Sequence, residues 1–198
     1  MSRIIREAKS TDMAAIMQVM DAAKNIMRQS GNMHQWGDGY PSEAVISSDI
    51  EKKGGFVIEE ANKVVGYFAF LPSPEPTYSK IYDGNWLDDE KPYHVVHRIA
   101  SLPDVHGIFS SIMDFSFAQD NNIRIDTHRD NKIMRHNIEK HCFTYCGIIY
   151  LANGRSSESR QAGLDGRVVT DEGEANGDER LAYQMTKNGI KYEVDCTI

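Results

Sequence analysis

The sequence predicts an α/β (α+β) protein, in which a mixed sheet of about six or seven strands carries helices on both faces. Three observations lead to this prediction. A stretch with helical spacing of apolar residues follows a short first strand, two apolar strands flank a two-residue turn, and two strand–helix–strand units then follow in succession. The predicted order is β-α-α-β-β-β-α-β-α-β-β, and the two successive units imply parallel pairing with right-handed crossovers.

The N-terminal part begins with a short strand, RIIRE, at residues 3–7. The next stretch, TDMAAIMQVMDAAKNIM, places four apolar residues on one face of a helix that Thr11 can cap: Ile16, Met20, Ala23 and Met27. A second, shorter helix is predicted from Ser42 to about Gly54. FVIEE and KVVGYFAFL then form a hairpin around Ala61-Asn62.

The C-terminal part alternates strands and helices. YHVVHRIA at 93–100 predicts a strand, and IFSSIMDFSFAQ at 108–119 predicts the helix after it. IRIDTH forms the next strand, and DNKIMRHNIEKHCF forms a helix capped by Asp130 or Asn131. YCGIIYLA and RLAYQMTK predict the last two strands.

One domain over residues 1–198 accounts for this pattern. Residues 153–179 are rich in Gly, Ser and charged residues, which predicts a mobile insertion before the last strand. Residues 188–198 form a tail, where Asn188-Gly189 predicts a short turn.

Composition excludes several classes of function. Of 198 residues, 40% are hydrophobic and 26% charged, which is typical of a globular protein. A formal net charge of -7 argues against nucleic acid as the main partner. No apolar run is long enough for a membrane helix, and the N-terminus lacks the apolar core of a signal peptide. The three cysteines, Cys142, Cys146 and Cys196, cannot all pair within one chain, so we expect reduced thiols and a cytoplasmic protein.

The stretch HRIASLPDVHGIFSSIMDF, at 97–115, passes from strand to helix through a turn with one glycine. A structural connection tolerates many sequences, whereas one whose backbone approaches a phosphate needs such a residue. The free amides and the dipole of a helix N-terminus hold an anion without a cationic side chain. Gly107 lets the backbone come close to a ligand.

The ordered set of KVVGYFAF, HRIASLPDVHGIFSSIMDF, IRIDTHRDNKIMRHNIEKHCFTYCGIIYL and ERLAYQ resembles the GNAT superfamily of acetyl-CoA-dependent N-acetyltransferases. The resemblance runs from about residue 3 to residue 187. It implies a GNAT-like sheet, acetyl-CoA as co-substrate and direct acetyl transfer to a primary amine. The family's turn usually carries a basic or amide residue and two small residues. Here it reads DVHGIF, with Asp104 and Phe109 at two of these positions.

The resemblance assigns cofactor binding to the strand, turn and helix start, and to the cap of the following helix. The residues implied are Ile99, Ala100, Ser101, Val105, His106, Gly107, Ile108, Phe109, Ser110 and Asn131. A backbone N–H near Ile99 or Ala100 would polarise the thioester carbonyl. Asn131 is predicted both to cap its helix and to contact the pantetheine arm. His106 either offsets negative charge when protonated or is an exposed turn residue.

His97 is the candidate general base. Strict alternation along the strand places it on one face with Tyr93, Val95 and Ile99, about two residues from the expected thioester. An ordinary histidine titrates near pH ~6.5 and can accept a proton at neutral pH. The alternative is a hydrogen-bonded histidine that braces the sheet.

The candidate acid is less well defined. Many members of the family place a tyrosine seven residues after the capping asparagine, and here that residue is Ile138. Tyr145 or Cys142 could substitute, and each could instead be a packing residue. His94 and His97 are three apart on a strand, and His136 and His141 are five apart on a helix. Neither pair can chelate, so no metal is expected.

The loop NMHQWGDGYP, at 32–41, should lie across the acceptor entrance if the resemblance holds, with Trp36 and Tyr40 as substrate-binding candidates. The acceptor stays open among polyamines, amino acids, aminoglycoside-like compounds and protein N-termini. Two alternative functions stay open at this point: a non-catalytic module that binds CoA or a metabolite, and an interaction protein without cofactor. The apolar tail strand and KVVGYFAF fit either a homodimer interface or the core.

Overall fold

The computed structural model describes residues 3–37, 39–151 and 177–187. Over these residues, seven strands and four helices follow one another in the predicted order. They are β1 (Arg3–Glu7), α1 (Met13–Gln29), α2 (Glu43–Glu51), β2 (Gly55–Glu60), β3 (Lys63–Pro72), β4 (His94–Ser101), α3 (Ile108–Gln119), β5 (Asn122–Thr127), α4 (Lys132–Lys140), β6 (Thr144–Leu151) and β7 (Asp178–Thr186). The predicted fold class is confirmed.

Local signals place most element boundaries. The Ser42 hydroxyl accepts a hydrogen bond from the Val45 amide at the start of α2, and the Asn131 side chain accepts one from the Met134 amide at the start of α4. The β2–β3 hairpin turns at Ala61 and Asn62, which both have positive φ angles. The predicted cap of α1 was wrong: Thr11 lies in a 3-10 turn before it, and Asp12 stands at the N-cap without a side-chain cap bond.

The strand order in the sheet is β1-β2-β3-β4-β5-β7-β6. Strands β4 and β5 pair in parallel, as the first strand–helix–strand unit predicts. The second unit does not bring its strands together, because β7 inserts between β5 and β6 and pairs antiparallel with both. The position of β7, which arrives from a distant part of the chain, could not be deduced from the local pattern.

Helices cover both faces of the sheet. The predicted apolar face of α1 (Ile16, Met20, Ala23 and Met27) is buried, and its core also contains Val57, Tyr67 and Ala100 from the sheet. On the opposite face, α3 and α4 contribute Ile112 and Ile138 to a core with Val96, Ile123 and Ile125. The apolar periods of the sequence therefore produce a sheet between two helical layers.

Strand β7 begins at Asp178, so its first residues fall inside the predicted insertion, 153–179. The rest of that insertion, and the predicted tail at 188–198, lie outside the described residues. Among the described residues, no helix is long and apolar enough to span a membrane.

Candidate active site

Strands β4 and β5 run side by side for only part of their length and then separate. Their parallel pairing ends at Val96 and Ile125. Beyond that point β4 stays paired with β3 as far as Ser101, while Asp126 and Thr127 of β5 pair with β7. From His97 onward, the edge of β4 that faces β5 has no strand partner among the described residues, so its backbone groups are available to a ligand.

A β-bulge in β4 sits at the same point. Arg98 has a φ of 54°, and the register with β3 shifts between Tyr67 and Ala69. As a result Ile99 packs in the same core as Val96, beneath α3, whereas Ala100 packs beneath α1. The strict alternation predicted for this strand was therefore wrong, because the bulged residue reverses the facing of the residues after it.

The turn after β4 ends in a left-handed glycine. Gly107 has φ 73° and ψ 14° and stands at the N-cap of α3. A left-handed conformation is unstrained for glycine and costs other residues about 1 to 2 kcal/mol. The first amides of α3 have no partner within the helix and carry the positive end of its dipole.

A cavity of about 300 Å³ opens between these features. Nine of the ten predicted cofactor residues line it: Ile99, Ala100, Ser101, Val105, His106, Gly107, Ile108, Phe109 and Asn131. Ser110 is exposed and outside this lining. The sequence reasoning missed the remaining walls, which α1 and α4 supply through Ala23, Ile26, Met27, Ile133, Met134 and Asn137. A sequence signal existed for Ala23 and Met27, on the predicted buried face of α1, and for Met134, at helical spacing with Ile138.

The walls are mainly apolar, and the polar groups on them are neutral or weakly basic. Among the lining residues there is no carboxylate. Asp104, the acidic residue of the turn, is exposed and outside the lining. The described walls of the cavity therefore carry no negative charge that would repel an anion.

The side chain of Asn131 is already engaged. Its carbonyl oxygen caps α4, and its Nδ2 donates to Oε1 of Gln35 at 2.9 Å and lies 3.9 Å from Sδ of Met27. Gln35 Oε1 also accepts a hydrogen bond from Asn32 at 2.7 Å. Asn131 thus ties the loop after α1 to the cavity wall, and Gln35 is a residue that the sequence reasoning missed.

His97 stands where β4 and β5 part. Its Nδ1 lies 3.6 Å from Oδ1 of Asp126, on β5, and its ring packs edge-on against Tyr78 at 5.6 Å. The Tyr78 hydroxyl donates to the same carboxylate oxygen at 2.5 Å. Asp126 is the first residue of β5 beyond the β4 pairing. The only sequence signal for it was an acid within an apolar strand, IRIDTH.

Burial controls the charge of this pair. Desolvation, and then the positive charge of Arg98, lower the pKa of His97 to about 3. Desolvation raises the pKa of Asp126, although the hydrogen bond from Tyr78 opposes that change. The imidazole of His97 is therefore neutral at physiological pH, and it is a weaker base than the sequence predicts.

Arg98 anchors the predicted acceptor loop. Its Nε and Nη2 donate to the two carboxylate oxygens of Asp49 at 2.8 and 2.6 Å, and its Nη1 donates to the Tyr40 hydroxyl at 3.1 Å. The Tyr67 hydroxyl donates to Asp49 at 2.9 Å. Tyr40 therefore lies beside Arg98 of β4, while Trp36 packs against the core beneath α1.

The two candidate acids lie elsewhere. Tyr145 is on β6, three strand spacings from β4, or about 14 Å or more. It is 49% exposed and packs on Tyr183. Cys142 follows the end of α4 and is disulfide-bonded, so the expectation of three reduced thiols is wrong for this residue. Among the described residues, no cluster of His, Cys, Asp and Glu could hold a metal ion.

Comparison with solved structures gives GNAT acetyltransferases. A GNAT family acetyltransferase from Streptococcus agalactiae has a TM-score of 0.75 and 27% identity, over 94% of this chain and 96% of its own. One from Listeria monocytogenes has a TM-score of 0.62 and 17% identity, over 93% and 95%. The ribosomal-protein-S18-alanine N-acetyltransferase from Escherichia coli has a TM-score of 0.53 and 12% identity, over 96% and 99%.

No family model and no curated protein matches the sequence. The chain has the GNAT acetyltransferase fold, and this likeness supports acetyl transfer in general.

Proposed function

We propose that this protein transfers an acetyl group from acetyl-CoA to a primary amine. The observation that supports this proposal is a cavity. It is bounded by the edge of β4 beyond its pairing with β5, by Gly107 and the start of α3, and by the Asn131 cap of α4. The sequence assigned these elements to the cofactor by resemblance, and they meet around one opening in the sheet. The GNAT fold of the chain supports the same assignment.

The shape and chemistry of the cavity suit a long ligand with an anionic end. The diphosphate of acetyl-CoA would lie at the amides that begin α3, next to Gly107, which are anion-binding groups. The amide-rich pantetheine arm would run along Ile99–Ser101 and bond their free backbone groups, as a peptide adds to a sheet edge. The thioester would then lie near the point where β4 and β5 separate.

The acceptor would approach that point from the side of Tyr40 and Arg98. The amine nitrogen attacks the thioester carbonyl carbon, the carbon–sulfur bond breaks, and the sulfur leaves as the CoA thiolate, which takes up a proton. Before the attack, an ammonium substrate must lose a proton. In this proposal the neutral imidazole of His97 would accept that proton, and Asp126, 3.6 Å away, would stabilise the imidazolium that forms.

One observation favours a second candidate, a module that binds CoA without turnover. Burial lowers the pKa of His97 to about 3, far from the value near the working pH that suits a general base. The two candidate acids also lie outside the opening between β4 and β5. Such a module would use the same cavity and the same turn.

Calorimetry with acetyl-CoA, followed by a panel of amines with detection of released thiol, tests the proposal. Binding together with acetylation of a polyamine, amino acid, aminoglycoside or peptide N-terminus is the expected result. Binding without acetylation of any amine supports the non-catalytic module. The absence of both heat and a thermal shift with acetyl-CoA would overturn both candidates and leave an interaction protein.

A further inference from the structure

Arg3, the first residue of β1, reaches across to the turn between β4 and α3. Its Nη2 donates to the His106 carbonyl and its Nη1 to the Ser111 hydroxyl, both at 2.8 Å. Its Nε donates to Glu60 at 2.9 Å, and Nη2 donates to the same carboxylate oxygen. These contacts join the N-terminal edge of the sheet to both ends of the turn around Gly107, over more than 100 residues of sequence.

One donor of Arg3 is left over next to Gly107. A guanidinium carries five N–H groups, and the contacts with described residues use four of them. The fifth is on Nη1, and Nη1 is the heavy atom that a Cβ added to Gly107 would meet, at 3.6 Å. The spare N–H is thus held at the residue where the backbone turns into α3.

No lysine or arginine occurs in the turn itself, SLPDVHGIFSS at 101–111. Of the cationic side chains in the described part of the protein, Arg3 is the one that the hydrogen bonds connect to this turn. Its own charge is offset by Glu60, and the two side chains are 21% and 25% exposed. Arg3 therefore offers a ligand a positioned hydrogen-bond donor, and it holds the turn in place. It offers little net positive charge, because Glu60 offsets it.

We propose that Arg3 is a phosphate-binding and turn-positioning residue of the cofactor site, recruited from β1. This proposal rests on the proposed function, because it assumes that a CoA-type ligand occupies the cavity. The spare N–H donates to a phosphate oxygen of that ligand, and the other donors hold the carbonyl of His106 and the hydroxyl of Ser111 so that the α3 amides face the ligand. Phosphate recognition here therefore combines backbone amides with one arginine distant in sequence.

The test compares two arginines of the same strand. Arg6 also makes two carboxylate ion pairs, with Glu59 and Asp12, but has no contact with the turn among its hydrogen bonds to described residues. Arg3→Gln and Arg6→Gln are each titrated by calorimetry with CoA and with pantetheine, which lacks the diphosphate and nucleotide. For Arg3→Gln we expect CoA affinity to fall about tenfold, the effect of losing one charge-assisted hydrogen bond, with pantetheine affinity unchanged. For Arg6→Gln both affinities should stay at the wild-type values.

The outcomes separate the two proposals. If wild-type protein binds no CoA, the proposed function fails and this proposal fails with it. If wild-type protein binds CoA and Arg3→Gln binds it equally well, or loses affinity for pantetheine to the same degree, only the role of Arg3 is refuted.

Should Arg3→Gln fail to fold, Arg3→Lys takes its place, since it keeps the charge and loses the planar fork. A selective loss of CoA affinity supports the proposal, and unchanged affinity refutes it.

Discussion

Nδ1 of His97 lies 3.6 Å from Oδ1 of Asp126, directly beyond the last paired residues of β4 and β5. The two residues belong to strands that are neighbours in the sheet yet have just separated. Their side chains therefore meet at the point where the opening between the two strands begins. The tyrosine hydroxyl of Tyr78 fixes the carboxylate from a third element.

This relationship predicts a selective effect of His97→Ala on turnover. If His97 accepts the ammonium proton, the variant should lose at least about tenfold in kcat, with unchanged affinity for acetyl-CoA. Steady-state kinetics and calorimetry measure the two quantities. His94→Ala is the matched control, because His94 is on the same strand but pairs with Asp120. Equal turnover in the wild type and His97→Ala would remove His97 from the mechanism.

The lowered pKa of His97 also predicts a pH dependence of stability. The imidazole of His97 has a pKa of about 3 in the folded state and 6.5 in the unfolded state. Between these pH values the unfolded state binds more protons than the folded state. The free energy of unfolding therefore decreases as the pH falls through this window. Stability should therefore decrease by about 2 kcal/mol from this group between pH 6.5 and pH 5. The raised pKa of Asp126 acts in the opposite direction.

Urea unfolding of His97→Gln at pH 7.5 and pH 5 isolates the contribution of His97. The variant should lose less stability on acidification than the wild type does. His106→Gln, which changes an exposed histidine, should follow the wild type. Parallel pH profiles for His97→Gln and the wild type would contradict the assigned shift.

Gly107→Ala is expected to weaken acetyl-CoA binding. A residue with a Cβ is strained at a φ of 73°, and relief of the strain rotates the first amides of α3 away from the cavity. We expect a loss of about tenfold or more in affinity by calorimetry. Gly31→Ala is the control, since Gly31 has a φ of 88° and open space around it. It should cost about 1 to 2 kcal/mol of stability, as Gly107→Ala does, without changing affinity.

Arg98→Met is expected to destabilise the fold strongly. It leaves the carboxylate of Asp49, which is 3% exposed, without its bidentate partner. Removal of one member of a buried ion pair costs about 3 to 5 kcal/mol, which chemical denaturation measures. Tyr40→Phe, which removes one bond from the same arginine at an exposed hydroxyl, should cost about 1 kcal/mol or less. A small loss for Arg98→Met would show that water reaches Asp49.

The sequence determined the elements and the turn. The resemblance to the GNAT family implied the run from Ile99 to Phe109, which supplies most of the cavity walls. Apolar spacing set the buried face of α1, and Ala61-Asn62 set the hairpin. These features depend on neighbouring residues along the chain, through the helical and strand periods and the conformational freedom of glycine. Such information can be deduced from short stretches of sequence.

Only the tertiary structure decided which distant residues meet. The insertion of β7 beside β5, the bulge at Arg98 and the approach of Arg3 to Gly107 depend on pairing between segments far apart in sequence. The same pairing put Asp126 opposite His97 and left Tyr145 at the far side of the sheet. The physical reason is that burial and charge, which set the pKa of His97, belong to the packed environment and are absent from any local pattern.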